Sequence, residues 1–219
     1  MIRRLLLSVE LLLERRLLTV IVVDVLVLLQ GLVVALVSNG EPRSIYMGVV
    51  IVPYLVLGVP ILAHAIAIER RAGSLESVLA SPSAHAYFLR RYVAFCALLT
   101  LQGWIVMIAT WCMPSRPFPL PFVLIQALLI AALIGAVSMF WGVYLRSGGA
   151  VIVAVLVTLL AMARWVFDDP LPTEPGGRFL PRLAELPEWI RTNLVLAVAA
   201  LIFYLYARRR MLHTEQLLS

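Results

Sequence analysis

The chain has 219 residues, of which 63% are hydrophobic and 14% charged, and its mean hydropathy is +0.99. That is far more apolar than a soluble globular domain needs to fill its core, so the medium around most of the chain is lipid. All 18 basic residues are arginine, against 12 acidic ones, for a net charge of +6. Without lysine the chain has neither a GxxxxGK[ST] phosphate loop nor a lysine Schiff base, which excludes a conventional ATPase.

A spanning helix needs about 20 predominantly apolar residues, so this length holds about six and leaves little for a soluble domain. The fold expected is all-α and integral to the membrane, as a single transmembrane domain over residues 1–219. No removed signal peptide is predicted, because Arg3 and Arg4 are not followed by a short apolar core with a small-residue cleavage site.

Residues 2–16 are the first element. Arg3, Arg4, Ser8, Glu10, Glu14 and Arg15 fall on one side of a helical wheel, interrupted by Leu7 and Leu11. This predicts an amphipathic helix lying in the membrane interface; the alternative is one long helix continuous with the first span. The first span is read at 17–38, broken only by Asp24 and Gln30, and stops at the turn-forming NGEP of 39–42. The second, at 46–68, carries Gly48, Pro53, Gly58 and Pro60 and is expected to kink. Further spans are read at 87–112, 121–145, 150–167 and 193–207, with an RSGGA turn at 146–150.

Between the last two spans, residues 168–192 are rich in proline, glycine and charge and read as an outer loop. Its LPRLAELPEWI stretch suits short helices dipping into the interface, with Trp189 as an anchor. Counted on alternate sides, 12 arginines (N-terminus, 69–91, Arg146 and 208–210) oppose five (Arg43, Arg116, Arg178, Arg182 and Arg191). The bias places both termini in the cytoplasm.

Residues 69–86 form a cytoplasmic segment between spans two and three. Ser74 is an N-cap after flexible Gly73, Glu76 sits in the first turn where the helix dipole favours a carboxylate, and Pro82 ends the helix. Leu75, Val78 and Leu79 present an apolar surface to a soluble partner. Glu69, Arg70, Gly73, Ser74, Leu75, Glu76, Val78, Leu79, Ser81 and Pro82 together resemble the E-R-x-x-G-[ST]-L-E-x-[LV]-L-x-[ST]-P pattern of type-2 ATP-binding-cassette exporter permeases.

The resemblance implies a multi-pass permease of the prokaryotic plasma membrane. It implies a dimer with the same or a related chain, docked through residues 69–82 on two separate nucleotide-binding subunits. ATP and Mg belong to those partners, and this chain carries no cofactor, metal or catalytic residue of its own. A narrower resemblance, to the haem-exporter-type permease of cytochrome c maturation, shares the length, span number and 69–82 region. The long charged loop and the basic tail of Arg208, Arg209 and Arg210 fit the general exporter class better.

Ionisable residues inside spans mark functional hypotheses. Asp24 and His64 lie at about 10 Å and 6 Å from the same side of the membrane, depths that suit a pair. A clamp between spans, a proton-sensitive gate and part of a substrate route are all open for it. Arg164 is four residues before Asp168 near the outer end of its span, where it snorkels or meets an anionic headgroup.

Gln30, Gln102 and Gln126 suit interhelical hydrogen bonds, and Ala131, Gly135, Ser138 and Gly142 form a smooth face for close helix packing within the subunit. Cys96 and Cys112, about 24 Å apart on one helix, read as packing residues. A membrane enzyme would need HExxH, GxSxG or paired intraspan aspartates, and the sequence has none of these. A membrane assembly factor without transport activity is the remaining alternative.

Overall fold

The computed structural model describes residues 84–112, 120–145, 147–162 and 186–212, together with 22, 25, 26, 29, 33, 58 and 59. The regular structure of these residues is helical. Four helices are defined: α1 (Ala84–Trp111), α2 (Leu120–Tyr144), α3 (Gly148–Ala161) and α4 (Leu186–Leu212). α1, α2 and α4 are long and apolar enough to cross a membrane. At 28, 25 and 27 residues each exceeds the ~30 Å hydrocarbon thickness.

Proline and charge mark the helix ends. Pro114 follows α1 by three residues, where it cannot continue the helical ladder. Pro121 and Pro187 sit in the first turns of α2 and α4, where the missing N–H has no intrahelical acceptor to lose. α4 has Glu188 in its first turn and Arg209 and Arg210 in its last, so both ends complement the helix dipole.

Two expected spans match closely: 87–112 is α1 and 121–145 is α2, each displaced by one to three residues. The start of α1 at Ala84 takes up the last residues of the expected 69–86 segment. The turn read at 146–150 is shorter, because Gly148 already opens α3 and only 145–147 link it to α2. α3 has 14 residues and ends at a turn on Met162; residues 163–167 of that expected span lie outside the described residues.

The largest difference is in the last helix, which begins at Leu186, seven residues before the expected span and inside the stretch read as loop. Within the first expected span, Val22, Val25, Leu26, Leu29 and Val33 are helical and exposed. Their spacing places them on one face, as for a lipid-facing stripe.

α2 is the hub of the bundle, packing against α1, α3 and α4, whereas α1 and α4 meet only slightly. Leu133 to Met139 are seven consecutive buried residues, so the middle of α2 is covered on every side rather than along one stripe. α1 runs antiparallel to it: Tyr92 meets Ala132, and Trp104 meets Leu124. α4 runs parallel to it: Phe122 meets Trp189 near one end and Phe140 meets Phe203 near the other.

The smooth face expected on α2 is occupied within the subunit. A Cβ placed on Gly135 would lie 3.0 Å from the Tyr92 ring, 3.1 Å from Cys96 Sγ and 3.3 Å from the Phe95 ring. Without a hydrophobic driving force between helices in lipid, such close contact supplies the van der Waals attraction that joins them. Gly58 is tightly held as well, its Cβ position lying 3.0 Å from Leu99 and 3.4 Å from Ile134. That brings part of the second expected span against α1 and α2.

Large apolar side chains cover the opposite faces. Leu101, Val153, Leu160 and Leu194 are each at least 60% exposed. An apolar surface this extensive is unsuited to water and natural in hydrocarbon.

Candidate functional site

The residues assigned to partner docking, Glu69, Arg70, Gly73, Ser74, Leu75, Glu76, Val78, Leu79 and Pro82, lie outside the described residues. So do the intramembrane groups Asp24, His64 and Arg164, and the 2–16 helix. The described helices bring together other groups, which fall into a polar level in the bundle and two charged ends.

Among the described residues six polar ones are buried: Thr100 and Gln102 on α1, Gln126 and Ser138 on α2, and Thr192 and Asn193 on α4. The Trp104–Leu124 contact sets the antiparallel register so that Gln102 is level with Gln126. The Phe122–Trp189 contact sets the parallel register so that Asn193 is level with Gln126 too. Three carboxamides from three helices thus lie within about one helical turn of one another along the bundle.

Asn193 donates through Nδ2 to the Trp189 carbonyl at 2.8 Å. Its Oδ1, together with Thr100 Oγ1 and Trp189 Nε1, is buried with no hydrogen-bond partner among the described residues. Neutral amides and hydroxyls hold helices together or receive an uncharged polar group; they do not move protons near neutral pH. Among the described residues no group of three or more His, Cys, Asp or Glu is placed to hold a metal.

Side-chain to backbone bonds stitch α1 to α2. The Tyr92 hydroxyl donates to the Ala132 carbonyl at 3.0 Å, the Trp104 indole N–H to Leu124 at 3.0 Å, and the Cys96 thiol reaches Ala131 at 3.8 Å. Across α2 and α3, the Trp141 indole N–H donates to Thr158 Oγ1 at 2.9 Å, and that hydroxyl donates onward to the Ala154 carbonyl at 2.8 Å. Both cysteines are free thiols, Cys96 half-buried and Cys112 exposed.

The two ends of the bundle differ in charge. At the Trp189 end, Glu188 and Arg191 form an exposed pair at 3.6 Å. Trp189 itself, expected as an interfacial anchor, is buried edge-on against Phe122 at 5.0 Å. At the other end, where the Tyr92 and Tyr204 rings meet at 5.0 Å, lie Arg90 and Arg91 of α1 and Arg208, Arg209 and Arg210 of α4.

Two of these arginines rest on aromatic rings. Arg210 lies over Tyr144 at 4.4 Å, and Arg91 over Tyr87 at 5.5 Å with its Nε donating to the Tyr87 hydroxyl at 3.0 Å. Such contacts draw a guanidinium onto the face of the ring. Glu188, at the opposite end, is the sole acidic residue among those described.

Sequence reasoning singled out the small-residue face and the glutamines but missed Asn193 and Thr192. The polar Thr192–Asn193 pair itself was the available signal, once the last helix is extended back through Pro187. Compared with known proteins, the chain matches no family model, no curated protein and no solved structure.

Proposed function

We propose that this chain is the membrane permease subunit of an ATP-driven exporter, working as a dimer with two separate nucleotide-binding subunits that bind ATP and Mg. The observation that carries the reading is the run from Glu69 to Pro82, with its cap, first-turn carboxylate and terminating proline in the pattern of type-2 exporter permeases. Three helices able to span a membrane and the absence of lysine support it: the chain has the makings of a route across lipid and lacks a phosphate loop to power it.

In this reading the chain has six spans, an interfacial helix over 2–16 and both termini in the cytoplasm of a prokaryotic cell. Leu75, Val78 and Leu79 dock on the ATPase, and Glu76 fixes the helix end that bears them. Closure of the ATPases on ATP pushes this short helix, and the tightly packed spans transmit the displacement because closely packed helices shift as units.

The test is co-purification with a chain that carries GxxxxGK[ST] and is encoded beside this one, comparing wild type with Glu76→Arg. Reversal of charge at a helix N-terminus on a docking surface is expected to reduce both assembly and ATP turnover at least ten-fold, or about 1.4 kcal/mol. Unchanged assembly and turnover would overturn the docking role.

A further inference from the structure

The lipid-facing side of α4 ends differently at its two ends, and that asymmetry bears on what covers it. Leu194, Val198, Leu201 and Leu205 are all exposed and recur at three- and four-residue spacing, so they form one stripe along the helix. From Leu194 to Leu205 the stripe rises about 16 Å, close to half of the ~30 Å hydrocarbon core and thus to the reach of one leaflet's acyl chain.

Three and four residues beyond Leu205 come Arg208 and Arg209, both exposed and both on the same side of the helix. Neither has a carboxylate partner among the described residues. At the far end of the same side, Arg191 is compensated by Glu188 at 3.6 Å. One end of the stripe is therefore neutralised and the other offers two guanidinium forks at the depth where an acyl chain gives way to its headgroup.

We propose that this stripe is a binding site for an anionic phospholipid, with an acyl chain along Leu194, Val198, Leu201 and Leu205 and the phosphate on Arg208 and Arg209. Charge complementarity selects the occupant. A second copy of this helix in parallel would bring like charges together, and a zwitterionic lipid gains less because its own cation offsets the phosphate. Arg210 is outside the site, since its guanidinium is committed to Tyr144.

The experiment is native mass spectrometry of the purified full chain released from mixed phosphatidylglycerol and phosphatidylcholine, scoring the ratio of the two lipids retained. Each arginine removed is expected to lower that ratio about five-fold, the factor for about 1 kcal/mol per basic residue at an anionic surface. Arg208→Gln/Arg209→Gln together should lower it roughly 25-fold. Arg191→Gln should leave it within about two-fold, because that arginine is already paired.

If the double variant does not fold, the single substitutions supply the same comparison. A wild-type chain without preference for phosphatidylglycerol, or an arginine variant with the wild-type ratio, would overturn the proposal. So would disulfide-linked dimers formed by Leu201→Cys in a Cys96→Ala/Cys112→Ser background in phosphatidylglycerol vesicles, which would assign the stripe to a second copy of the chain.

Discussion

Replacing Gly135 by alanine adds one methyl group where α1 and α2 approach closely. Three atoms stand within 3.0 to 3.3 Å of the new Cβ, all of them from α1: the Tyr92 ring, Cys96 Sγ and the Phe95 ring. Ordinary carbon contacts lie at about 3.5–4.0 Å, so each neighbour must retreat by several tenths of an ångström. Tyr92 is held at both ends, by its hydroxyl on Ala132 and its ring on Tyr204, and Phe95 is buried. The strain therefore falls on the separation of the two helices.

Overpacking of this kind typically costs about 1–3 kcal/mol, while alanine gains back about 1 kcal/mol over glycine in a helix interior. The expected net loss for Gly135→Ala is thus roughly 1 kcal/mol, growing to about 3 kcal/mol or more for the bulkier Gly135→Val. Gly149 supplies the contrast. Its Cβ position meets only Ser147 Oγ, at 3.9 Å, so Gly149→Ala keeps the helical gain and should raise stability by about 0.5–1 kcal/mol. Unfolding in mixed micelles by titration with sodium dodecyl sulfate measures all three variants. Gly135→Ala at or above wild-type stability would refute the close-packing account of α1 and α2.

Three other substitutions probe separate contacts by the same unfolding assay. Thr158→Val removes the acceptor of the Trp141 indole N–H and is expected to lower stability by about 1–2 kcal/mol, with Thr158→Ser close to wild type. Tyr92→Phe loses a bond to the Ala132 carbonyl but keeps the ring, so a loss of only about 0.6 kcal/mol is expected, the usual size for interhelical bonds in membranes. Leu196→Ala empties a fully buried site against the core and should cost about 2 kcal/mol or more. Leu194→Ala, on the lipid-facing side, should change stability by less than about 0.5 kcal/mol. Equal effects at 194 and 196 would mean that the face of α4 is wrongly assigned.

The positions of α1 and α2 were legible within three residues because their boundaries rest on local chemistry, an apolar run interrupted by proline. The start of α4 was not. Pro187, Glu188 and Arg191 look like loop residues when counted for hydropathy. In the structure the proline occupies a first turn, the glutamate faces the dipole and the arginine answers the glutamate one turn on. The same polar residues that suggested a loop are what begin the helix. For the candidate site, Glu69 to Pro82 remains legible through sequence pattern alone, whereas the level of Gln102, Gln126 and Asn193 could be found only from the register of three helices.

Membrane character and the approximate extents of α1 and α2 follow from the sequence by itself, because lipid offers backbone groups no hydrogen bonds and an apolar run must satisfy them by forming a helix. The spacing of Ala131, Gly135, Ser138 and Gly142 likewise announced a face for close approach. The tertiary structure decided that α1 fills this face with Tyr92, Phe95 and Cys96, that α2 lies in the middle and that Trp189 is buried against Phe122 rather than exposed. In hydrocarbon the packed and the lipid-facing sides of these helices are both mostly apolar, so hydropathy does not separate one from the other. That choice depends on the fit of particular side chains across helices whose contacting residues are some 40 positions apart in the chain.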